Sequence, residues 1–295
     1  MQFKRVLSRK FIDELNNLYE DRNSWWHKIV DDDEVFILIR NNRLHALANG
    51  GLLLQVEHTH GTITCKTHEE FLSLRSENKP YVLLEQDQTS PIQRVEGLKG
   101  LAKHYQKIKR RIKLFTGREK QVVQDLGLGI RQIIDLEAGL AGRKRRNATR
   151  SGARRIDMAG ISDEGILVFF EVKLFDNSEI RSQATPKVVR QLQEYERLLK
   201  KFQREILNGY NEQFKMYERL NGNFFRKRIP KINEFELHPR VRLIITDFDG
   251  IQKTFLLPKF MEGISQGLGW SVDSPDLITV GKHRVIKKSR LFKGL

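Results

Sequence analysis

Two periods of apolar and polar residues run along this chain. Phe11, Ile12, Leu15, Leu18 and Tyr19 recur at helical spacing and predict a helix over residues 9–20. Asn23-Ser24 breaks it before Trp25 and Trp26, a pair expected to serve core packing. Short strand-like runs follow at 34–40, 43–48, 52–58 and 62–66. Asn41-Asn42, Asn49-Gly50-Gly51 and His60-Gly61 separate them, the rhythm of an antiparallel meander. A short helix over 69–75 and a strand over 81–85 complete a small α+β module.

The second half changes rhythm. After a link over 87–100 containing Pro91, the pattern predicts a helix over 101–115 that restarts over 117–126. Strands follow at 132–137, 155–160 and 166–173, the last nearly all apolar and therefore central in its sheet. Pro186 precedes a helix over 188–202 whose Val189, Leu192, Tyr195 and Leu199 form a buried stripe. A strand over 241–247 and a helix over 253–264 close the series. The expected division is an N-terminal module over 1–98, an α/β domain over 99–270 and a basic tail over 271–295.

Composition narrows the class. In 295 residues no apolar run approaches the length of a membrane span. The N-terminus has charge but no apolar run of the secretory kind, and Cys65 is the only cysteine, so a cytoplasmic protein is expected. A net charge of +16 and a pI near 9.9 favour a polyanionic partner, nucleic acid ahead of an anionic membrane or the ribosome. Arg143, Lys144, Arg145, Arg146, Arg150, Arg154 and Arg155 crowd the approach to Asp157. Lys282, Arg284, Lys287, Lys288, Arg290 and Lys293 fill the C-terminal stretch. His58, His60, Cys65 and His68 lie close in sequence, but they lack the paired spacing of a zinc site and are expected to be exposed or half-buried strand residues.

One constellation carries chemistry. Asp157 stands in Arg-Arg-Ile-Asp-Met-Ala-Gly, and a short turn leads to Ile-Leu-Val-Phe-Phe-Glu-Val-Lys, which ends in Glu171, Val172 and Lys173. A hairpin brings Asp157 to Glu171, and strand alternation puts Lys173 on the face of Glu171. The same residue types also form surface ion pairs, but here the charges close an apolar run where they would be unwelcome without a purpose. Two carboxylates and the Val172 carbonyl suit Mg²⁺, or Mn²⁺ in its place, which takes hard oxygen ligands and keeps several waters. Lys173 is expected to orient a water or steady charge at a phosphate. Gln191 and Tyr195, four apart, share one helix face.

These residues resemble the PD-(D/E)XK nuclease superfamily, over roughly residues 101–265. The likeness rests on Asp157, the Glu171-Val172-Lys173 triplet and Gln191-Leu-Gln-Glu-Tyr195, the last similar to a glutamine-and-tyrosine helix signature of the recombination and repair branch. Ile156 stands where the name-giving proline would be. The resemblance implies a restriction-endonuclease-like αβββαβ core and a further glutamate on its first helix, for which Glu119 is the first candidate and Glu137 the second. It implies catalytic roles for Asp157, Glu171, Lys173, Gln191 and Glu119. The expected protein is a Mg²⁺-dependent endonuclease acting on DNA, with RNA as the other substrate, in restriction, repair or anti-phage defence. Arg143–Arg155 and Tyr195 would contact nucleic acid, and a homodimer would let both strands be cut. The alternative is a non-catalytic nucleic-acid-binding or assembly subunit with the same fold.

Overall fold

The computed structural model describes residues 3–68, 71, 81–84, 97–140, 154–181, 186–232, 234–282 and 286–295, with the backbone alone at 81–84, 97–104 and 154. It is a mixed α/β structure whose packing divides into two units, one of Lys4–Arg131 and Asn208–Ile229, the other of Gln132–Leu207 and Pro230–Leu295 with the first three residues.

The first unit is built on an antiparallel meander. Helices α1 (Arg9–Glu20) and α2 (Trp25–Val30) precede β1 (Val35–Arg40), β2 (Arg43–Ala48), β3 (Gly51–Thr59), β4 (Thr62–His68) and β5 (Tyr81–Leu84), which lie in that order in one sheet. Two-residue turns fix the register. Asn49-Gly50 and His60-Gly61 all have positive φ, which matches the strand twist in such hairpins. Gly50 has a second reason to be glycine, since a Cβ there would meet the Lys120 backbone at 2.5 Å. Helices α3 (Gly97–Phe115) and α4 (Arg118–Gly129) follow. Gln124 ties α4 to the sheet by accepting from the Gly50 N–H at 2.6 Å and donating to the carbonyls of Glu34 and Leu47.

Segment 208–229 supplies aromatic rings to this core. Trp26, Phe36, Tyr217, Phe224 and Phe225 pack at centroid distances of 5.3 to 6.4 Å. The Arg228 guanidinium lies between the Phe36 and Phe224 rings at 4.6 and 4.1 Å, and burial pulls its pKa down to about 10. The tryptophan pair thus packs in the core, although in a short helix that the sequence pattern did not predict.

The second unit is a five-stranded mixed sheet in the order β10-β9-β8-β7-β6. Its strands are β6 (Ile133–Leu140), β7 (Arg154–Ile161) and β8 (Ile166–Leu174), all antiparallel, then β9 (Glu236–Phe248) and β10 (Leu277–Gly281), both parallel to β8. Between β8 and β9 come α5 (Lys187–Lys201), α6 (Gln203–Arg219), within which the boundary between the units falls, and α7 (Asn223–Arg226). After β9 come α8 (Gly250–Phe255) and α9 (Leu257–Leu268), and α10 (Lys288–Leu291) ends the chain.

The packing departs from the sequence boundaries in three ways. Helices α3 and α4, assigned above to 99–270, belong with the meander because Tyr105, Ile108 and Ile112 are buried and α3 packs on β2, β3 and β5. Residues 208–229 join them. The basic tail over 271–295 instead belongs to the mixed sheet, where β10 pairs with β9 and Leu291 is buried. Charge hid this segment. Arg242, fully buried, donates to Asp276 at 3.1 Å and to the carbonyls of Leu291 and Lys293 at 2.6 and 3.0 Å, so the C-terminal segment is fixed by a polar contact. The helix expected over 253–264 is two. A capping box from Asp249 to Gln252 starts α8 earlier, and Pro258 opens α9.

Candidate active site

Strand β8 lies in the middle of its sheet, and its last buried residues are charged. Ile166–Phe170 give apolar side chains to both faces, and the same burial continues through Glu171 and Lys173, only 2% and 5% exposed. Charges so deeply placed cost free energy unless they are paired and hydrogen-bonded. Lys173 Nζ meets Glu171 Oε1 at 2.8 Å and Glu179 Oε2 at 2.8 Å. Gln191 Nε2 donates to the same Glu171 oxygen at 2.7 Å and to the Tyr195 hydroxyl at 2.9 Å. Tyr195 in turn donates to the Arg155 carbonyl at 2.6 Å, linking α5 to β7.

Helix α5 presents this pair because its apolar stripe fixes its rotation. Val188, Val189, Leu192, Tyr195 and Leu199 are buried, and the helix packs on β9 and α9. Gly267 permits the close approach, since a Cβ there would lie 3.0 Å from Val189. Gln191 therefore stands at the border of the stripe, where an amide needs a polar partner, and it finds Glu171.

Asp157 occupies the place where two strands part. The paired residues of β7 and β8 run from Ile161↔Leu167 to Met158↔Phe170. Beyond them the Asp157 carboxylate itself accepts from the Val172 N–H at 2.8 Å. The N–H and C=O of one strand residue point to the same edge, so the Val172 carbonyl faces the Asp157 side. Register also sets Glu137 opposite Asp157, between the pairs Leu136↔Met158 and Ala138↔Ile156. Glu137 has a left-handed φ of 50° and pairs with Arg155 at 2.9 Å.

Electrostatics bind the group further. Burial by itself would lower the Lys173 pKa, but the Glu171 charge, hydrogen bonds to Glu171 and Glu179 and the nearby Asp157 outweigh it and raise the value. Its ammonium keeps its proton at any physiological pH. Burial first, and then the Glu171 charge, push Tyr195 up to about 12, so the phenol stays neutral.

The structure thus brings together Asp157, Glu171, Val172, Lys173, Gln191 and Tyr195. Glu119 stands in the first turn of α4, in the other unit. Arg143, Lys144, Arg145, Arg146 and Arg150 lie outside the described residues, as does the side chain of Arg154; Arg155 is exposed and ion-paired. Sequence reasoning missed Glu179, which sits in a loop with no periodic signal. It also missed Asp135, fully buried on β6 opposite Ala159. Asp135 was findable, because it interrupts an apolar run just as Glu171 does. Of the histidine and cysteine group, His58 bonds Glu14 at 3.1 Å and stacks on Phe11, while Cys65, contrary to expectation, is fully buried in the sheet, with its pKa raised by desolvation.

As a donor set, two carboxylates and a backbone carbonyl fit a hard, water-retaining divalent ion. No group of three or more His, Cys, Asp or Glu side chains is placed to hold a metal among the described residues. An ion here would therefore rely on Asp157, Glu171, the Val172 carbonyl and water. Among the described residues no helix is long and apolar enough to cross a membrane. Compared with known proteins, the chain matches no family model, no curated protein and no solved structure.

Proposed function

We propose that the unit containing β6–β10 is a metal-dependent nuclease with a restriction-endonuclease-like core, hydrolysing phosphodiester bonds of nucleic acid, DNA before RNA. The observation that carries the reading is the buried Glu171–Lys173 pair, braced by Gln191 and Tyr195, beside the point where Asp157 parts β7 from β8. Helix α3, α4, three antiparallel strands, α5 and a parallel strand also follow one another in the order such a core requires, although α3 and α4 pack with the meander.

Asp157, Glu171 and the Val172 carbonyl would hold Mg²⁺ or Mn²⁺, which when bound supplies an activated water and neutralises phosphate charge. Lys173, held protonated, offers a fixed positive charge to the phosphate and its leaving oxygen, where a preorganised donor is worth most. It cannot act as a base while its proton is held by Glu171 and Glu179. Gln191 and Tyr195 orient Glu171, and Arg155 with the preceding basic residues contacts the phosphate backbone. Restriction, repair or phage defence would each use this chemistry.

The decisive experiment incubates the chain with supercoiled, linear and single-stranded DNA and with RNA, in Mg²⁺, Mn²⁺ or EDTA. Metal-dependent nicking of circles, lost in Asp157→Ala and Glu171→Ala proteins that still fold, is the expected result. Undiminished cleavage by either variant overturns the site. Binding without cleavage under every metal condition establishes a non-catalytic nucleic-acid-binding subunit instead.

A further inference from the structure

Helix α3 lies in the unit to which the proposed chemistry gives no role. Its sequence, Gly-Leu-Lys-Gly-Leu-Ala-Lys-His-Tyr-Gln-Lys-Ile-Lys-Arg-Arg-Ile-Lys-Leu-Phe, holds seven lysines and arginines and no acidic residue. Burial separates its faces. Tyr105, Ile108, Lys109 and Ile112 turn inward, while Lys107, Arg110 and Lys113 are exposed. Lys109 is answered by Asp32 and Glu34 at 2.6 and 2.5 Å. Asp125 is within electrostatic reach of Lys113, and of a second cation, Arg118. Like charges three and four residues apart on one helix repel each other, so this arrangement opposes the helix that carries it.

We propose that the outer face of α3, through Lys107, Arg110 and Lys113, is a docking surface for the phosphate backbone of double-stranded nucleic acid. Lys107 and Lys113 are separated by about 9 Å along the helix axis. A duplex carries a charge every ~1.7 Å of its axis, both strands counted, so a row of cations over that span faces a dense line of phosphates. The surface is held in shape. Gln121 Nε2 donates to the carbonyls of Lys113 and Thr116 at 3.0 and 2.8 Å, and the Thr116 hydroxyl donates to the Ile112 carbonyl at 2.8 Å. Lys99 and Lys103 precede Lys107 in the same helix at steps of four residues.

A bilayer is the other polyanionic surface a basic amphipathic helix could meet. Such a helix must bury its apolar face in the lipid, and here Tyr105, Ile108 and Ile112 are already buried in their own unit. Among its described side chains, the exposed large apolar ones are Leu114 and Phe115, 81% and 52%, with the Arg111 guanidinium 5.8 Å from the Phe115 ring.

The test measures binding of the full chain to a short fluorescent duplex in EDTA, across a series of salt concentrations. EDTA removes cleavage from the readout, so the result stands whether or not the chain is a nuclease. In the triple variant Lys107→Gln, Arg110→Gln, Lys113→Gln, the slope of log affinity against log salt is expected to fall by about 0.9 per lost phosphate contact, about 2 to 3 in all. Restoring charge with Lys107→Arg and Lys113→Arg alone should leave the slope as in the parent. Lys215→Ala, which removes an exposed lysine already paired with Glu212, should also leave it unchanged. An unaltered slope in a triple variant with parental thermal unfolding overturns the proposal. So does an unaltered slope with loss of binding to phosphatidylserine vesicles.

Discussion

Two buried lysines, one in each unit, make the instructive comparison. Lys109 lies between Asp32 and Glu34, with the Tyr105 hydroxyl also donating to Asp32 at 2.8 Å. Lys173 lies between Glu171 and Glu179, with Tyr195 near by. The ingredients match: an amine, two carboxylates and a phenol. At Lys109 the charges close, because Lys109 and Tyr105 both spend themselves on one Asp32 oxygen and Glu34 faces water with 77% of its side chain exposed. At Lys173 three carboxylates face one ammonium, since Asp157 also acts on it, and the strand ladder opens beside them. A lysine between carboxylates is therefore no mark of chemistry by itself. Three carboxylates on one ammonium beside an opened backbone are what distinguish a candidate site from a brace.

That distinction breaks most sharply under activity. Lys173→Ala should lower the cleavage rate constant by about 100- to 1,000-fold, the usual cost of removing a preorganised charge from a reacting centre, whereas Lys109→Ala should leave turnover per folded molecule intact in a plasmid-nicking assay. Stability should reverse the ranking. Lys109→Met leaves the half-buried Asp32 without its cation and should cost about 3 kcal/mol in denaturant unfolding. The same pair has a sign in pH. Burial opposes the Lys109 charge, but Asp32 and Glu34 raise its folded pKa above the unfolded value. Its contribution is thus complete below about pH 10.4 and fades as pH climbs through the higher folded value, and the Met variant should lose that alkaline dependence.

Metal should separate the clusters again. At about 100 times its dissociation constant, Mg²⁺ or Mn²⁺ should stabilise the parent by about 2.7 kcal/mol, visible as a thermal shift. Glu171→Gln should abolish the shift and Asp32→Asn should retain it. A shift that survives Glu171→Gln would place the ion elsewhere. Smallest of these effects, Tyr195→Phe removes the bond to the Arg155 carbonyl and should cost about 1 kcal/mol, with a modest fall in cleavage as Gln191 loses its brace.

Much of the site was legible because local rules governed it. Alternation on β8 fixes Glu171 and Lys173 on one face, and the four-residue step fixes Gln191 beside Tyr195; neither depends on distant residues. The hairpin that carries Asp157 to β8 is also local. Glu179 was not legible, since a loop carboxylate reaches Lys173 through a path no period describes. The C-terminal strand was hidden by its charged neighbours, and its place rests on Arg242 and Asp276, residues 34 apart in sequence.

Sequence alone determined the meander strands, β6 to β9, helices α1 and α3 to α5, the facing of the charged residues on β8 and the excess of positive charge, because each follows from side-chain period or composition. Tertiary structure decided how the elements were shared between units. It sent α3 and α4 to the meander, took residues 208–229 with them and placed Glu119 in that unit. The physical reason is that an amphipathic helix specifies which face it will bury but not against which sheet. That choice belongs to shape and to contacts far apart in the chain.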